Sequence, residues 1–442
     1  MTLASQKPKN MEIPSETPNF SVSAFDVIVY ILLFVAAGAF FLEPTLQMVC
    51  GPILAFLFVY LYFVKKDTLF VTLFIILAND ALGTVVLGKI SFQYLLIPLV
   101  LLELLERKKI SVRSFFLLLL GIVMILQPAL TGVATLKSAL ITLFYVFALL
   151  LQQGKYEQRF FIERFMFSFS LIVGLIALHA IITGGVVFDE AILGAEDISG
   201  LRRGILGVGS GDPNFSGLLL CAGIACALNS KTLPRIAAAI AFLLCLGAIV
   251  VTMSTTTLIA LLIVLFMTAL INAPPSKAVI RILLLVLAFI LLFNLYTALP
   301  AEWHTEQIDA YIVRMEEKWD ALLVGDLDSV TTNRSTITEQ YWDYLTNEQS
   351  LVKQIFGGNS INLFEHVPHN TYMDFLLQFG FLGTAFLLIF IFKRLLQAFF
   401  LPKDRTRKVI VTLKILYAVF IFSISVFTES TFALTFVFLF VL

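Results

Sequence analysis

The length of the apolar runs is what most constrains this chain. Hydrophobic stretches recur at roughly 24–42, 45–64, 68–87, 91–105, 114–130, 138–152, 160–184, 213–229, 234–253, 256–273, 278–298, 372–392, 408–427 and 430–442. Most run to about 18–22 residues, enough for a helix to cross roughly 30 Å of hydrocarbon. With 59% hydrophobic and 14% charged residues and a mean hydropathy of +0.96, the chain carries little more than half the charge of a soluble domain. The expected fold is therefore all-α: a polytopic membrane protein of about 12–14 transmembrane helices, the lower count applying if the short runs do not each cross.

Orientation follows from where the cations lie. Lys7 and Lys9, Lys65-Lys66, Arg107 to Lys109, Lys155 with Arg159, Lys231 with Arg235, Lys277 with Arg281, and Lys393-Arg394 with Lys403 to Lys408 fall on one side if the spans alternate. That side is the cytoplasm, so both termini are expected there, with a polar tail over 1–23. The two long polar stretches, 185–212 and 299–371, then share the outer face. The chain divides into a bundle over 24–298 that carries the first loop, a large extracytoplasmic loop over 299–371, and C-terminal membrane helices over 372–442.

The large loop is acidic, with residues such as Glu302, Glu316, Asp320, Asp328 and Glu339 against only Arg314, Lys318, Arg334 and Lys353. Period-3.6 apolar residues predict a helix over about 302–323, and a second is expected over 337–347. The second opens with a capping-box spacing at Thr336-Ile337-Thr338-Glu339, which sets Arg334 just before a helix N-terminus. Gly357-Gly358-Asn359 then breaks the chain.

All four cysteines, Cys50, Cys221, Cys226 and Cys245, fall inside apolar runs and read as small buried hydrophobes rather than a disulfide frame. Val367-Pro368 prevents His366 and His369 from pairing across a helical turn, and no Cys or third His is near, so no metal and no cofactor are expected.

The candidate chemistry lies on the outer face. Arg202-Arg203-Gly204, Gly207, Gly209 and Gly211 lead into Asp212-Pro213-Asn214, where Asp at the N-cap and Pro at N1 start a helix entering from outside. The positive end of that helix and two guanidinium groups suit a phosphate group; interfacial arginines beside a capped helix are the structural alternative. At His369-Asn370-Thr371-Tyr372 a second helix enters with Asn370 or Thr371 as its cap. An imidazole at that mouth, kept neutral by neighbouring N–H groups, can take a proton from a hydroxyl; an interfacial histidine packed on aromatics is the plain alternative. Arg334 is either a third phosphate-binding cation or a solvated loop arginine. Glu429 can orient His369 or act as a base, an interfacial turn residue being the favoured plain alternative, and Lys137 and Lys89 are weaker outer-cation candidates for the phosphate site. Together these residues describe a site for a lipid-linked phosphate donor and a hydroxyl acceptor.

On these residues the chain resembles the O-antigen ligase and O-antigen/capsule polymerase superfamily of bacterial inner membranes. The likeness runs over about residues 200–390: Arg202 or Arg203 through Asn214, then Thr252-Met253-Ser254-Thr255, Arg334, Phe356-Gly357-Gly358, and His369-Asn370-Thr371-Tyr372 followed by Gly380-Phe381-Leu382-Gly383. One departure is Thr255, where members of the family often carry Arg or Lys. The resemblance implies a metal-independent membrane glycosyltransferase of the C type, whose donor is a glycan on undecaprenyl pyrophosphate. It implies that Arg202 or Arg203 and Arg334 bind pyrophosphate and that His369 is the catalytic base. It also implies membrane lipids, a chain-length regulator and a flippase as partners, and no nucleic acid.

A polymerase adds the glycan to another lipid-linked repeat unit, whereas a ligase adds it to a terminal carrier. A ligase for a phosphorylated lipid core would call for basic outer residues, so the acidic loop favours the polymerase. A flippase of lipid-linked oligosaccharide, the rival from another class, would show internal repeats and ionisable residues near mid-membrane, where this chain is almost uncharged.

Overall fold

In a computed structural model of the chain, the residues described are 44–64, 213–229, 235–252, 254–300, 306–331, 334–359, 363–364, 368–403 and 405–423, with isolated positions between 28 and 39 and at 97–98, 170 and 174–175. Among them all regular structure is helical, with no strand. A short 3-10 turn leads into α1 (Gln47–Phe63). Four apolar helices follow: α2 (Pro213–Asn229), α3 (Arg235–Thr252), α4 (Thr255–Leu270) and α5 (Pro275–Thr297). The polar stretch holds α6 (Glu306–Val324), α7 (Leu327–Thr331), α8 (Arg334–Asp343), a π-helical turn at Tyr344–Glu348, and α9 (Leu351–Phe356). The long α10 (Thr371–Phe399) and α11 (Arg405–Phe420) complete the set.

The described apolar helices lie where the runs put them, with ends shifted by no more than a few residues for α2 to α5, while the runs at 24–42, 68–87, 91–105, 114–130, 138–152, 160–184 and 430–442 lie wholly or largely outside the described residues. Pro213 occupies N1 of α2, as the Asp-Pro-Asn signal predicts. Two differences carry information. The helix expected over 337–347 begins at Arg334, so Thr336 lies within its first turn and is not the cap. The run expected to end near 392 continues to Phe399 and is broken inside, at Gly380.

Helix α2 is the hub. Leu218 to Ala222 and Ile224 to Cys226 are all buried, on every side of the helix, because α3, α4 and α11 surround it. Close approach to α4 depends on Gly217, where a Cβ would sit 1.8 Å from Thr257 Oγ1. Small residues that let helix backbones meet in this way hold apolar helices together without further burial.

Three contacts fix the helix directions. Ser254 Oγ donates to Asn214 Oδ1 at 2.7 Å, joining the N-termini of α2 and α4. Asn229 Nδ2 donates to Thr268 Oγ1 at 3.0 Å, joining their C-terminal ends. At that same end Ile271, Ala398, Ile410 and Val411 form one buried cluster. Helices α2, α4 and α10 therefore run parallel, α11 runs against them, and three helix N-termini gather at one end of the bundle.

Among the described residues one helix, α10, is long and apolar enough to cross a membrane, with a mean hydropathy of 2.3. Helices α1 to α4 are apolar but shorter in this respect. Large apolar side chains also stand exposed: Leu283, Leu287 and Leu291 on α5, and Phe386, Ile389 and Phe392 on α10.

Candidate functional site

The N-terminal mouth of α10 is built from its own cap and from the end of α11. Asn370 is in an extended conformation, and its Oδ1 accepts from the backbone N–H of Tyr372 at 3.0 Å and of Met373 at 3.3 Å. Of the two expected caps, Asn370 or Thr371, the structure uses Asn370. Thr371 N donates instead to Ile421 O at 2.9 Å, just past α11. Tyr372 reinforces the joint: its hydroxyl donates to Ala418 O at 2.8 Å, and its ring lies 4.2 Å from that of Phe422. His369, just ahead of the cap, takes a left-handed backbone with φ 49° and is partly buried. For a non-glycine residue that conformation is uncommon and is held only where the surroundings impose it.

Arg334 reaches the same turn from the outer segment. Its Nη1 donates to Ser423 O at 2.5 Å, across 89 residues of sequence. Ile421 and Ser423 are two positions apart, so one short turn meets both the α10 mouth and the Arg334 guanidinium. The arginine also completes the carbonyl end of α11, where a cation is favourable.

What sets Arg334 in place is Asp328. Its carboxylate accepts from Ser335 Oγ at 2.6 Å and from Thr336 N at 3.0 Å and Oγ1 at 2.5 Å, capping the first turn of α8 from the preceding helix. These bonds, that of Ser335 first, hold the Asp328 carboxyl below the usual carboxylate range. Lys318 of α6 donates to Val330 O at 2.5 Å and ties α6 to α7.

Beneath the mouth, the outer segment locks into a gap in α10. Gly380 has φ 67° and ψ −172°, outside helical values, so the carbonyls of the preceding turn lose their partners within the helix. Gly358 N donates to Gln378 O at 2.9 Å, and Asn359 N donates to Leu377 O at 3.0 Å. Contact is so close that a Cβ on Gly357 would lie 2.3 Å from Gln378 O, and one on Gly380 would lie 2.3 Å from Ile355 O. Above this lock Tyr341, Leu345, Met373, Leu376 and Leu377 share a buried core, which seats α8 on α10.

Two further polar residues lie buried below the mouth. Asp374, in the first turn of α10, is 1% exposed. Burial raises the Tyr341 hydroxyl above its ordinary range, hydrogen bonds from the Phe364 and Leu363 backbone oppose the rise, and the nearby Asp374 adds the smallest contribution. An acidic residue inside an apolar run was the available signal. Asn359 is 5% exposed and its side-chain amide has no hydrogen-bond partner among the described residues. Nothing in its local sequence distinguishes it.

Of the candidates read from sequence, the structure brings Arg334, His369 and Asn370 to one mouth. Asn214 lies at the same end of the bundle, buried and bonded to Ser254, so its amide organises the α2–α4 pair. Arg202, Arg203, Lys137, Glu429, Lys89 and His366, together with the loop over 185–212, lie outside the described residues. The four cysteines are buried and unlinked. No family model, no curated protein and no solved structure matches this chain.

Proposed function

We propose that the chain is a multi-pass glycosyltransferase of the bacterial plasma membrane, a polysaccharide polymerase that works on its extracytoplasmic face without a metal. In this reading α1 to α5, α10 and α11 cross the bilayer. The exposed apolar stripes on α5 and on α10 support it, because soluble monomers rarely leave such faces uncovered.

The observation that carries the reading is the shared turn at Ile421 to Ser423, which ties Arg334 to the helix mouth occupied by His369. Three helix N-termini and a guanidinium at one end form a positive field suited to a pyrophosphate. A guanidinium has five N–H donors, so a bond to Ser423 is compatible with a further pair to phosphate oxygens. Arg202 and Arg203 are proposed to join it.

The reaction then takes one displacement. The acceptor hydroxyl of a second lipid-linked repeat unit attacks the anomeric carbon with inversion, and His369 takes its proton. The bond from that carbon to the pyrophosphate oxygen breaks, and its electron pair stays on the phosphate, whose charge Arg334 and the helix ends stabilise. Undecaprenyl pyrophosphate is a good leaving group, so no general acid is required.

The test is reconstitution of the purified chain in vesicles with undecaprenyl-pyrophosphate oligosaccharide, with and without a separate terminal acceptor, followed by product sizing. A ladder from the donor alone is the expected result. A single addition that requires the terminal acceptor would make the chain a ligase. Movement of intact donor with no bond cleaved would make it a transporter and end the proposal.

A further inference from the structure

Helix α9 sits with its backbone against α10, since a Cβ on Gly380 would meet Ile355 O at 2.3 Å. Its inner side is tied to the outer segment: Gln354 Nε2 donates to Thr346 O and to Gln349 O, each at 3.1 Å. The other side is apolar and open. Leu351, Val352 and Phe356 are 70%, 67% and 62% exposed, half of a helix of only six residues. Val352 and Phe356 are one turn apart on a single face, which Leu351 adjoins.

Gly380 also marks a boundary on α10. From Thr371 to Gly380 every side chain is buried or half-buried. At the next residue an exposed apolar stripe begins with Phe381 and Leu382, and it continues through Phe386, Ile389 and Phe392. Trp342 lies at the same level, 44% exposed, with its ring edge-on to Phe381 and 6.1 Å between centroids. A half-exposed tryptophan beside the first side chains of an apolar stripe suits the edge of a bilayer, where the indole meets hydrocarbon and headgroup together. Through the Gly380 contact, the open face of α9 adjoins the start of the stripe on the one helix long and apolar enough to cross a membrane among the described residues. The hydrocarbon that covers one surface therefore reaches the other.

We propose that α9 is sunk in the outer leaflet of the bilayer, with Leu351, Val352 and Phe356 among the acyl chains. Lys353, leaving from another side of the helix, reaches up to the headgroups. The inference rests on the membrane reading given above, but not on glycan transfer. It makes the outer segment part of the membrane surface at α9, rather than a loop held wholly in water.

The test uses the full chain with one added cysteine, Val352→Cys or Phe356→Cys, carrying an environment-sensitive fluorophore in phosphatidylcholine vesicles. The four cysteines of the chain are buried, and both substitutions replace exposed side chains, so the fold is kept. Quenching is read with phosphatidylcholine spin-labelled on the fifth acyl carbon and, separately, with iodide in the water. Glu316→Cys, exposed on α6, gives the aqueous reference, and Phe386→Cys, on the stripe of α10, gives the lipid one. The ratio of lipid to iodide quenching at 352 and 356 should exceed that at 316 by about fivefold or more, as fits an apolar face sunk roughly 5–10 Å into the bilayer boundary. An equal ratio at the three positions would overturn the proposal. So would labels at 352 and 356 shielded from both quenchers, because a protein surface would then cover the face. An aqueous ratio at Phe386→Cys as well would sink the membrane reading itself; a lipid ratio there, without one at 352 and 356, would sink only the placement of α9.

Discussion

Arg334 Nη1 donates to the carbonyl of Ser423 at 2.5 Å, and the turn that offers this carbonyl also accepts from Thr371, two residues after His369. The guanidinium is thus a cap for α11 and, in the proposed reaction, a phosphate ligand. Substitution separates the two roles. Arg334→Lys keeps the charge but loses the planar fork. It should recover most of the thermal midpoint lost in Arg334→Ala while leaving the donor KM raised by about tenfold, or about 1.4 kcal/mol. Arg314→Ala on α6 should leave donor use unchanged. A donor KM that returns to normal whenever the thermal midpoint does would make Arg334 structural only.

His369 is held with φ 49°, a conformation that glycine adopts at no cost and asparagine at little. Both His369→Gly and His369→Asn should therefore preserve the fold while removing the base. Turnover in reconstituted vesicles should fall by about 10²–10⁴-fold, the usual range for a lost general base, with the thermal midpoint nearly unchanged. Full turnover in either variant would remove His369 from the chemistry.

Sequence periodicity located α2 to α5 well because each is a local property: an apolar run bounded by Pro, Gly or charge. The 213–229 run and α2 share both ends. What periodicity could not reach was long range. The cap of α8 comes from Asp328, six residues before the helix starts and inside the preceding helix α7, so the local Thr336–Glu339 spacing is misleading. Arg334 and Ser423 are 89 positions apart with no shared pattern. The sequence marks Gly357 as part of a chain break and Gly380 as a glycine within an apolar run; only their mutual contact shows why both must lack a Cβ.

Asp328 gives the outer segment a dependence on acid. Its carboxyl lies below the usual range when the α8 cap is formed. A group whose value is lowered on folding contributes stability at pH above its unfolded value, near 3.9, and loses it as pH falls through the folded value. Amide hydrogen-exchange protection in the first turn of α8 should therefore be constant from pH 7 to about 4 and decline below that. In Asp328→Asn the protection should be low at every pH. A decline of equal size in the variant would assign the acid response to another group.

The α2–α4 contact at Gly217 predicts a sharp response to side-chain size. A Cβ there would overlap Thr257 at 1.8 Å, and Thr257 is fully buried. Gly217→Val should lower the thermal midpoint and loosen the Asn214–Ser254 bond, with a cost of about 1–3 kcal/mol, typical of overpacking. Gly217→Ala combined with Thr257→Ala removes the two nearer atoms, Oγ1 and Cγ2, but leaves the Thr257 Cβ 2.7 Å away, so it should recover part of the loss seen in Gly217→Ala alone. Failure of that rescue would mean that the close approach is not what Gly217 supplies.

Gly380 joins a backbone requirement to a spatial one. Its φ of 67° disfavours any side chain, and a Cβ would meet Ile355 O at 2.3 Å and Gly357 N at 2.6 Å. Gly380→Ala cannot be absorbed by a rotamer change, because the atoms in the way are backbone. Restoring a regular helix would relieve the strain, but the carbonyls of Leu377 and Gln378 would then turn back to their own helix and release Asn359 and Gly358. Expected effects are a loss of about 1–3 kcal/mol, the cost of one strained residue, and new protease cleavage in the 350–359 segment. Gly247 of α3 provides the control, since a Cβ there meets nothing within 4 Å. Gly247→Ala should be neutral or raise the thermal midpoint through helix propensity alone. If Gly380→Ala leaves the outer segment as protected as Gly247→Ala does, the lock between the two glycines does not hold that segment on α10.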